Sequence, residues 1–142
     1  MKGPDISRCF GCGPDNPVGI HLKKTYAGEN ARIDFVGKPE YAGFPGLMHG
    51  GMTCVLFDEV MFHAIAKKDI VAVIANLNVD YRSPALVGDL LTCEAHIVKH
   101  QGRKIEVSAT IVNGRTKATV AEGQGLFIEV DLEKLIAAEN NP

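Results

Sequence analysis

Gly51-Met-Thr-Cys-Val-Leu-Phe-Asp-Glu-Val-Met-Phe-His-Ala-Ile-Ala-Lys67 decides the fold: it is mostly apolar, contains no proline and is too long for an average strand. It is expected to be a helix. Its apolar residues fall on every side rather than along one stripe, which marks a buried helix, and in a chain of 142 residues something must then wrap around it. The wrapping follows in the sequence. Residues 70–81, 90–98, 104–112 and 118–130 are rich in Val, Ile and Thr and are separated by segments 84–89 and 100–103 and by Asn113-Gly114. They predict a long antiparallel meander, with Asn113-Gly114 as a tight hairpin whose central positions need positive φ. Upstream, residues 20–36 hold two short apolar runs divided by Ala27-Gly28-Glu29-Asn30, which suggests a strand pair, and residues 39–48 read as a loop because of their glycines and prolines. Residues 1–19 are expected to form a surface-wrapping arm, and 131–142 a tail in which 132–138 turn helical. The expectation is a single α+β domain over 1–142, a long central helix wrapped by a curved antiparallel sheet.

Composition sets bounds on function. A hydrophobic fraction of 46% and a charged fraction of 23% are ordinary for a folded globular chain. A formal net charge of -2 gives no global attraction to nucleic acid or anionic lipid, so neither is expected as a partner. The first residues lack the apolar run of a signal peptide, and no later stretch supplies the about eighteen apolar residues that span a bilayer. The expected setting is the cytoplasm, with no membrane, and Cys9, Cys12, Cys54 and Cys93 are then expected as thiols. Cys9 and Cys12 form a C-x-x-C pair that, with His21, could begin a zinc site needing about four ligands. That set is incomplete, so no metal is assigned and the pair is read as small buried thiols.

Chemistry is concentrated in and just before the helix. Its polar interruptions are Thr53, Asp58, Glu59 and His63. A carboxylate taken from water costs several kcal/mol unless it is partnered, so both acids need an explanation. Glu59 and His63, four apart, could form an ion pair on one face, or Glu59 could be catalytic; both readings stay open. Asp58 has no partner within the helix, which leaves solvent, a second subunit or a substrate. Ahead of it lies Gly46-Leu-Met-His49-Gly50-Gly51, where glycines at a helix start either allow close packing or expose unpaired N–H groups to a ligand. Such donors favour negative charge and, aimed at a forming oxyanion, are typically worth about 10² to 10³ in rate. Asp58 lies about 13 Å beyond His49 along a helix axis, so one chain cannot easily bring both groups to one carbonyl. A two-fold dimer could.

The string Gly43-Phe-Pro-Gly-Leu-Met-His49-Gly-Gly-Met-Thr-Cys-Val-Leu-Phe-Asp58-Glu59 strongly resembles the His-Gly-Gly signature of hotdog thioesterases of the phenylacetate-pathway type. Asn78-Val-Asp-Tyr-Arg-Ser-Pro84-Ala-Leu-Val-Gly88-Asp89 is similar to that family's second strand segment, and Cys9-Phe-Gly-Cys-Gly-Pro-Asp-Asn-Pro-Val-Gly19 to the arm of a bacterial and archaeal subgroup. The resemblance implies a hotdog fold, a homodimer or a tetramer built as a dimer of dimers, acyl-coenzyme A as substrate, and no cofactor. It implies further that Asp58 is the family's acid, acting on water as a general base or directly as a nucleophile. Gly50 matches the backbone donor to the thioester carbonyl, with Gly51 beside it at the substrate, and His49 matches the signature histidine. Two positions depart from the pattern: Gly43 stands where many members carry Asn, and Ile74 where some carry Ser or Thr. Glu59 and Asn76 are the candidates to take over water or substrate positioning. Among the basic residues Arg82, Lys99, His100, Arg103 and Lys104, the phosphates of coenzyme A are expected at Arg82 first, then at Arg103 and Lys104. Two other functions compete: a hotdog dehydratase acting on hydroxyacyl thioesters, and a non-catalytic acyl-CoA-binding module.

Overall fold

A computed structural model describes residues 3–141. The long apolar stretch is helical, with α1 spanning Gly50–Ala66. His49 starts it: its backbone is extended and its Nδ1 accepts a hydrogen bond from the Gly51 N–H at 2.8 Å, satisfying one of the donors a helix start leaves free. Asp69, with φ 59°, turns the chain away just past the other end.

The described residues form six strands: β1 (Lys24–Ala27), β2 (Asn30–Val36), β3 (Ala72–Tyr81), β4 (Leu90–Gln101), β5 (Lys104–Asn113) and β6 (Thr119–Glu129). They make one sheet in the order β1-β2-β4-β5-β6-β3, every pairing antiparallel. The sheet has one dry face. Ile33 and Phe35 in β2, Leu91 and Cys93 in β4, Ile105, Val107 and Ile111 in β5, and Phe127 in β6 are buried at alternate positions and meet Leu56, Phe57, Val60 and Met61 of α1 in one core. Close approach of helix to sheet depends on β6: a Cβ on Gly123 would stand 3.0 Å from the Phe57 ring, and one on Gly125 2.6 Å from Met61 Sδ. Register shifts in β3 after Ile74, in β4 after Ile97 and in β5 after Ile111 add the local bends by which a sheet curls over a helix. A short α2 (Leu132–Glu139) follows, capped by Asp131, whose carboxylate accepts from the Lys134 N–H at 3.2 Å.

Several sequence expectations change. The meander is confined to β4-β5-β6; β3 pairs with β6 and lies at the sheet edge, while β2 is inserted beside β4. Residues 20–23 lie outside β1, and residues 39–48 contain one 3₁₀ turn, Pro39–Tyr41. Asn113-Gly114 is not a two-residue hairpin. Asn113 ends β5, its side-chain oxygen accepts from the N–H groups of Arg115 and Thr116, and the positive φ falls on Lys117 instead. Gly114 is needed for space, since a Cβ there would lie 2.9 Å from Leu90 Cδ2.

The described residues do not enclose the helix on all sides. Gly51, Cys54, Val55, Asp58, Phe62 and Ala66 are exposed or half-buried and recur every three or four residues, a stripe along one side of α1. The sheet and the N-terminal arm cover the rest. No helix among the described residues is long and apolar enough to cross a membrane.

Candidate active site

The open stripe of α1 runs beside β3. At its start, the Tyr81 hydroxyl donates to the Gly50 carbonyl at 2.7 Å, which ties the end of β3 to the first turn of the helix. Burial, with help from the nearby Cys54 thiol, pushes Tyr81 up to about 12, so the phenol keeps the proton that makes this bond. Two turns further on, Asp58 faces a groove of about 350 Å³ that it lines with Cys54, Val55, Ile74, Ala75, Asn76 and Leu77. The register shift of β3 falls in this wall, between Ile74 and Asn76.

Asp58 and Gly50 each present a chemically uncommitted group. Among the described residues no hydrogen bond or ion pair reaches the Asp58 carboxylate, and burial, reinforced by the negative charge of Glu59, raises its pKa above the ordinary 3.8. A half-buried acid without a partner is what a proton acceptor in a cleft requires. Likewise, among the described residues no acceptor takes the Gly50 N–H; the Gly46 carbonyl, four residues back, accepts from Val87 instead at 2.9 Å. Gly50 opens onto a second groove, of about 320 Å³, whose walls include Thr53, Tyr81, Arg82, Pro84 and Val120.

The other sequence candidates are distributed unevenly. The Gly51 N–H is occupied by His49 Nδ1, and this bond requires a lone pair on Nδ1, so the imidazole serves the helix start rather than standing free. Asn76 lies in the wall facing Asp58, as does Ile74, and Asn76 Oδ1 accepts from the Asn78 amide at 3.2 Å. Arg82 is beside the Gly50 groove but paired through Nε and Nη2 with Glu122, at 3.1 and 2.9 Å. Arg103 and Lys104 are at the opposite end of the sheet, where Lys104 pairs with Ile128; one chain does not bring them to Arg82. Gly43 packs against His49, where a Cβ would lie 3.3 Å from the His49 Cα, so this position has little room for the longer side chain.

Glu59 points elsewhere. It is 9% exposed, contacts His63 Nε2 at 3.6 Å and receives a hydrogen bond from Cys9 Sγ at 3.2 Å, on the side of α1 covered by the arm. Burial opposes its ionisation, but His63, Cys12 and Cys9 outweigh that and hold its carboxyl below the ordinary 4.5. The two adjacent acids thus diverge, one raised and one lowered, because they face different surroundings. Sequence reasoning found both but missed Tyr81 and Cys54, whose roles depend on β3 lying against α1. Pairing of β3 with β6 was not visible in the order of the strands.

A helix laid across a curled, open antiparallel sheet, with its acid and its glycine-rich start on one accessible side, is the hotdog architecture. Residues 45–120 match the thioesterase superfamily, and the chain belongs to it. The mouse protein "Acyl-coenzyme A thioesterase THEM4" is 35% identical over 100 residues, 70% of this chain but 43% of that protein, so the chain spans less than half of this relative's length. The fold is similar to that of the E. coli PaaI protein from the phenylacetic acid degradation operon, with a TM-score of 0.73 at 20% identity over 79% of this chain and 81% of that one. It is similar also to a Streptococcus mutans protein bound to acetyl CoA, with a TM-score of 0.72 at 17% identity over 77% and 88% of the two chains.

Proposed function

We propose that the chain hydrolyses acyl-CoA thioesters at a site shared by two copies, with Asp58 activating water and the Gly50 N–H holding the oxyanion. The observation that carries this reading is the pair of uncommitted groups, an unpartnered half-buried acid and an unpaired helix-start donor, on the one open side of α1. The reaction follows. Asp58 takes a proton from water as its oxygen adds to the thioester carbon; the carbonyl oxygen gains the charge and is stabilised at Gly50. Collapse breaks the C–S bond, and the thiolate leaves as coenzyme A with the proton held by Asp58. The names of similar proteins, one a coenzyme A thioesterase and one bound to acetyl CoA, support the choice of thioester.

Sharing is supported by the edge position of β3. A ten-residue strand with one free ladder is a template for a second strand. A two-fold pairing of β3 with its own copy, centred between Leu77 and Asn78, would bring the Tyr81 end of one chain alongside Ile74 of the other. The partner's Gly50 then comes to the Asp58 groove, and the apolar stripes of two α1 helices cover each other. The same symmetry carries the partner's Arg82 toward the end that holds Arg103 and Lys104, which gathers the cations proposed for the phosphates of coenzyme A. A dehydratase would need a histidine as acid or base in the groove, whereas His49 is held by the helix start at Nδ1 and lines neither groove.

The test is thiol release from an acyl-CoA panel as a function of pH. Only ionised Asp58 accepts a proton, and its pKa is raised, so kcat/KM is expected to fall on the acid side with an apparent pKa above 3.8. Stability should move the other way in that window. A raised carboxyl pKa means the folded state binds the proton more readily than the unfolded one, so Asp58's contribution to stability grows as pH falls toward 3.8. Activity flat to pH 3.8, or loss of water from a hydroxyacyl-CoA with no thiol released, would reject the assignment.

A further inference from the structure

Hydrolysis leaves Cys9 and Cys12 without a purpose. Their segment folds back on itself, Cys9 N–H donating to the Ile6 carbonyl at 3.0 Å and Gly13 N–H to the Cys9 carbonyl at 2.9 Å. It is seated on α1 at Gly11, whose missing side chain is the space the Glu59 carboxylate occupies. There Cys9 Sγ, Cys12 Sγ and a Glu59 carboxylate oxygen all lie within 4.8 Å of one another, with Cys9 Sγ 3.2 Å from Oε1. Among the described residues, the second carboxylate oxygen, Oε2, is buried with no hydrogen-bond partner, and so is His63 Nε2, 3.6 Å away and belonging to a residue 2% exposed. A buried polar atom left unpaired typically costs about 1–3 kcal/mol, so two facing each other beside a pair of thiols call for a reason.

A cation supplies one. Thiolates bind zinc at about 2.3 Å and carboxylate oxygens at about 2.0–2.2 Å, and a tetrahedral arrangement spaces such donors by about 3.5–3.8 Å. The Cys9 Sγ–Glu59 Oε1 contact, at 3.2 Å, lies close to that spacing already. Two soft sulfurs select zinc over magnesium or calcium, which take oxygen ligands. We propose that Cys9, Cys12 and Glu59 bind one zinc ion, and that His63 holds the carboxylate in place from behind as an outer partner. On binding, each cysteine releases its thiol proton to solvent as its Zn–S bond forms. Both cysteines are half-buried, so water can complete the tetrahedron. His21, weighed in the sequence as a third ligand although no metal was assigned there, is exposed and lies outside this cluster; Glu59 stands in its place. None of the three ligands lines the Asp58 groove, so the ion fastens the arm to α1 and does not touch substrate. The inference is independent of the hydrolytic reading.

Titration of the full chain, stripped of metal under reducing conditions, with cobalt(II) and then zinc is the test. One cobalt per chain is expected, with thiolate-to-cobalt charge-transfer absorption that zinc displaces stoichiometrically. Cys12→Ser and Glu59→Gln are expected to lose that binding, Cys54→Ser to keep it, and His63→Ala to weaken it about 10–100-fold. Zinc should raise the Tm of the native chain and not that of Cys12→Ser. Absence of the thiolate–cobalt band in the native chain would overturn the proposal whether or not the variants fold, as would stoichiometric binding that survives Cys12→Ser.

Discussion

Asp58→Asn is expected to lower kcat for acyl-CoA hydrolysis by about 10² to 10⁴, the usual worth of a positioned general base. The amide keeps the shape of the side chain and loses the ability to accept the proton of water. Stability is expected to hold or rise, because the replaced carboxylate is half-buried with no partner among the described residues and a raised pKa. This separates Asp58 from a structural acid. A buried acid engaged on its own side of the helix, such as Glu59 beside the His63 ring and accepting from Cys9, should behave in the opposite way, losing Tm when neutralised, since its charge faces the imidazole in the core. Thiol release and thermal unfolding measured on the same Asp58→Asn preparation decide the matter: full activity removes Asp58 from the mechanism, and a large drop in Tm makes it structural.

Gly50→Pro is expected to cost about 10² to 10³ in kcat, the range found when one oxyanion donor is removed. Proline is an unusual probe here because this position tolerates it. Gly50 is the first residue of α1, where proline's fixed φ suits the helix and the lost N–H has no intrahelical acceptor. The preceding His49, at φ −60° and ψ 132°, already has the extended backbone that a residue before proline needs. A Cβ at position 50 meets Tyr81 at 3.6 Å, an ordinary contact. Gly50→Ala, which keeps the N–H, is therefore expected to lose far less activity than Gly50→Pro. Equal losses would mean that the glycine serves space rather than the oxyanion.

Much of this arrangement was legible in the chain. The helix was readable because 51–67 combines length, apolar content and absence of proline, and β4 and β5 were readable from their content of Val, Ile and Thr between turn-prone segments. Asp58 stood out because an acid in so apolar a stretch has to be accounted for. What escaped was non-local. Nothing in β3 announces that it pairs with β6 across almost the whole meander, and so neither the Tyr81–Gly50 bond nor the wall facing Asp58 could be placed. The contrast between Asp58 and Glu59 depends on the arm, since Gly11 and Cys9 reach Glu59 from nearly fifty residues upstream. Asn113-Gly114 misled because its letters suit a two-residue turn, whereas the Asn113 side chain instead organises a longer loop against Leu90.

A hybrid dimer tests the shared site most directly. Chains carrying Asp58→Asn and chains carrying Gly50→Pro, given different tags and produced together, can be purified as mixed pairs. If each site takes Asp58 from one chain and Gly50 from the other, one site of the mixed pair carries both defects and the other carries neither. The mixed pair should then recover about half the activity of the native dimer, while each variant alone stays depressed. A mixed pair no more active than its parents would place both groups within one chain and contradict the account.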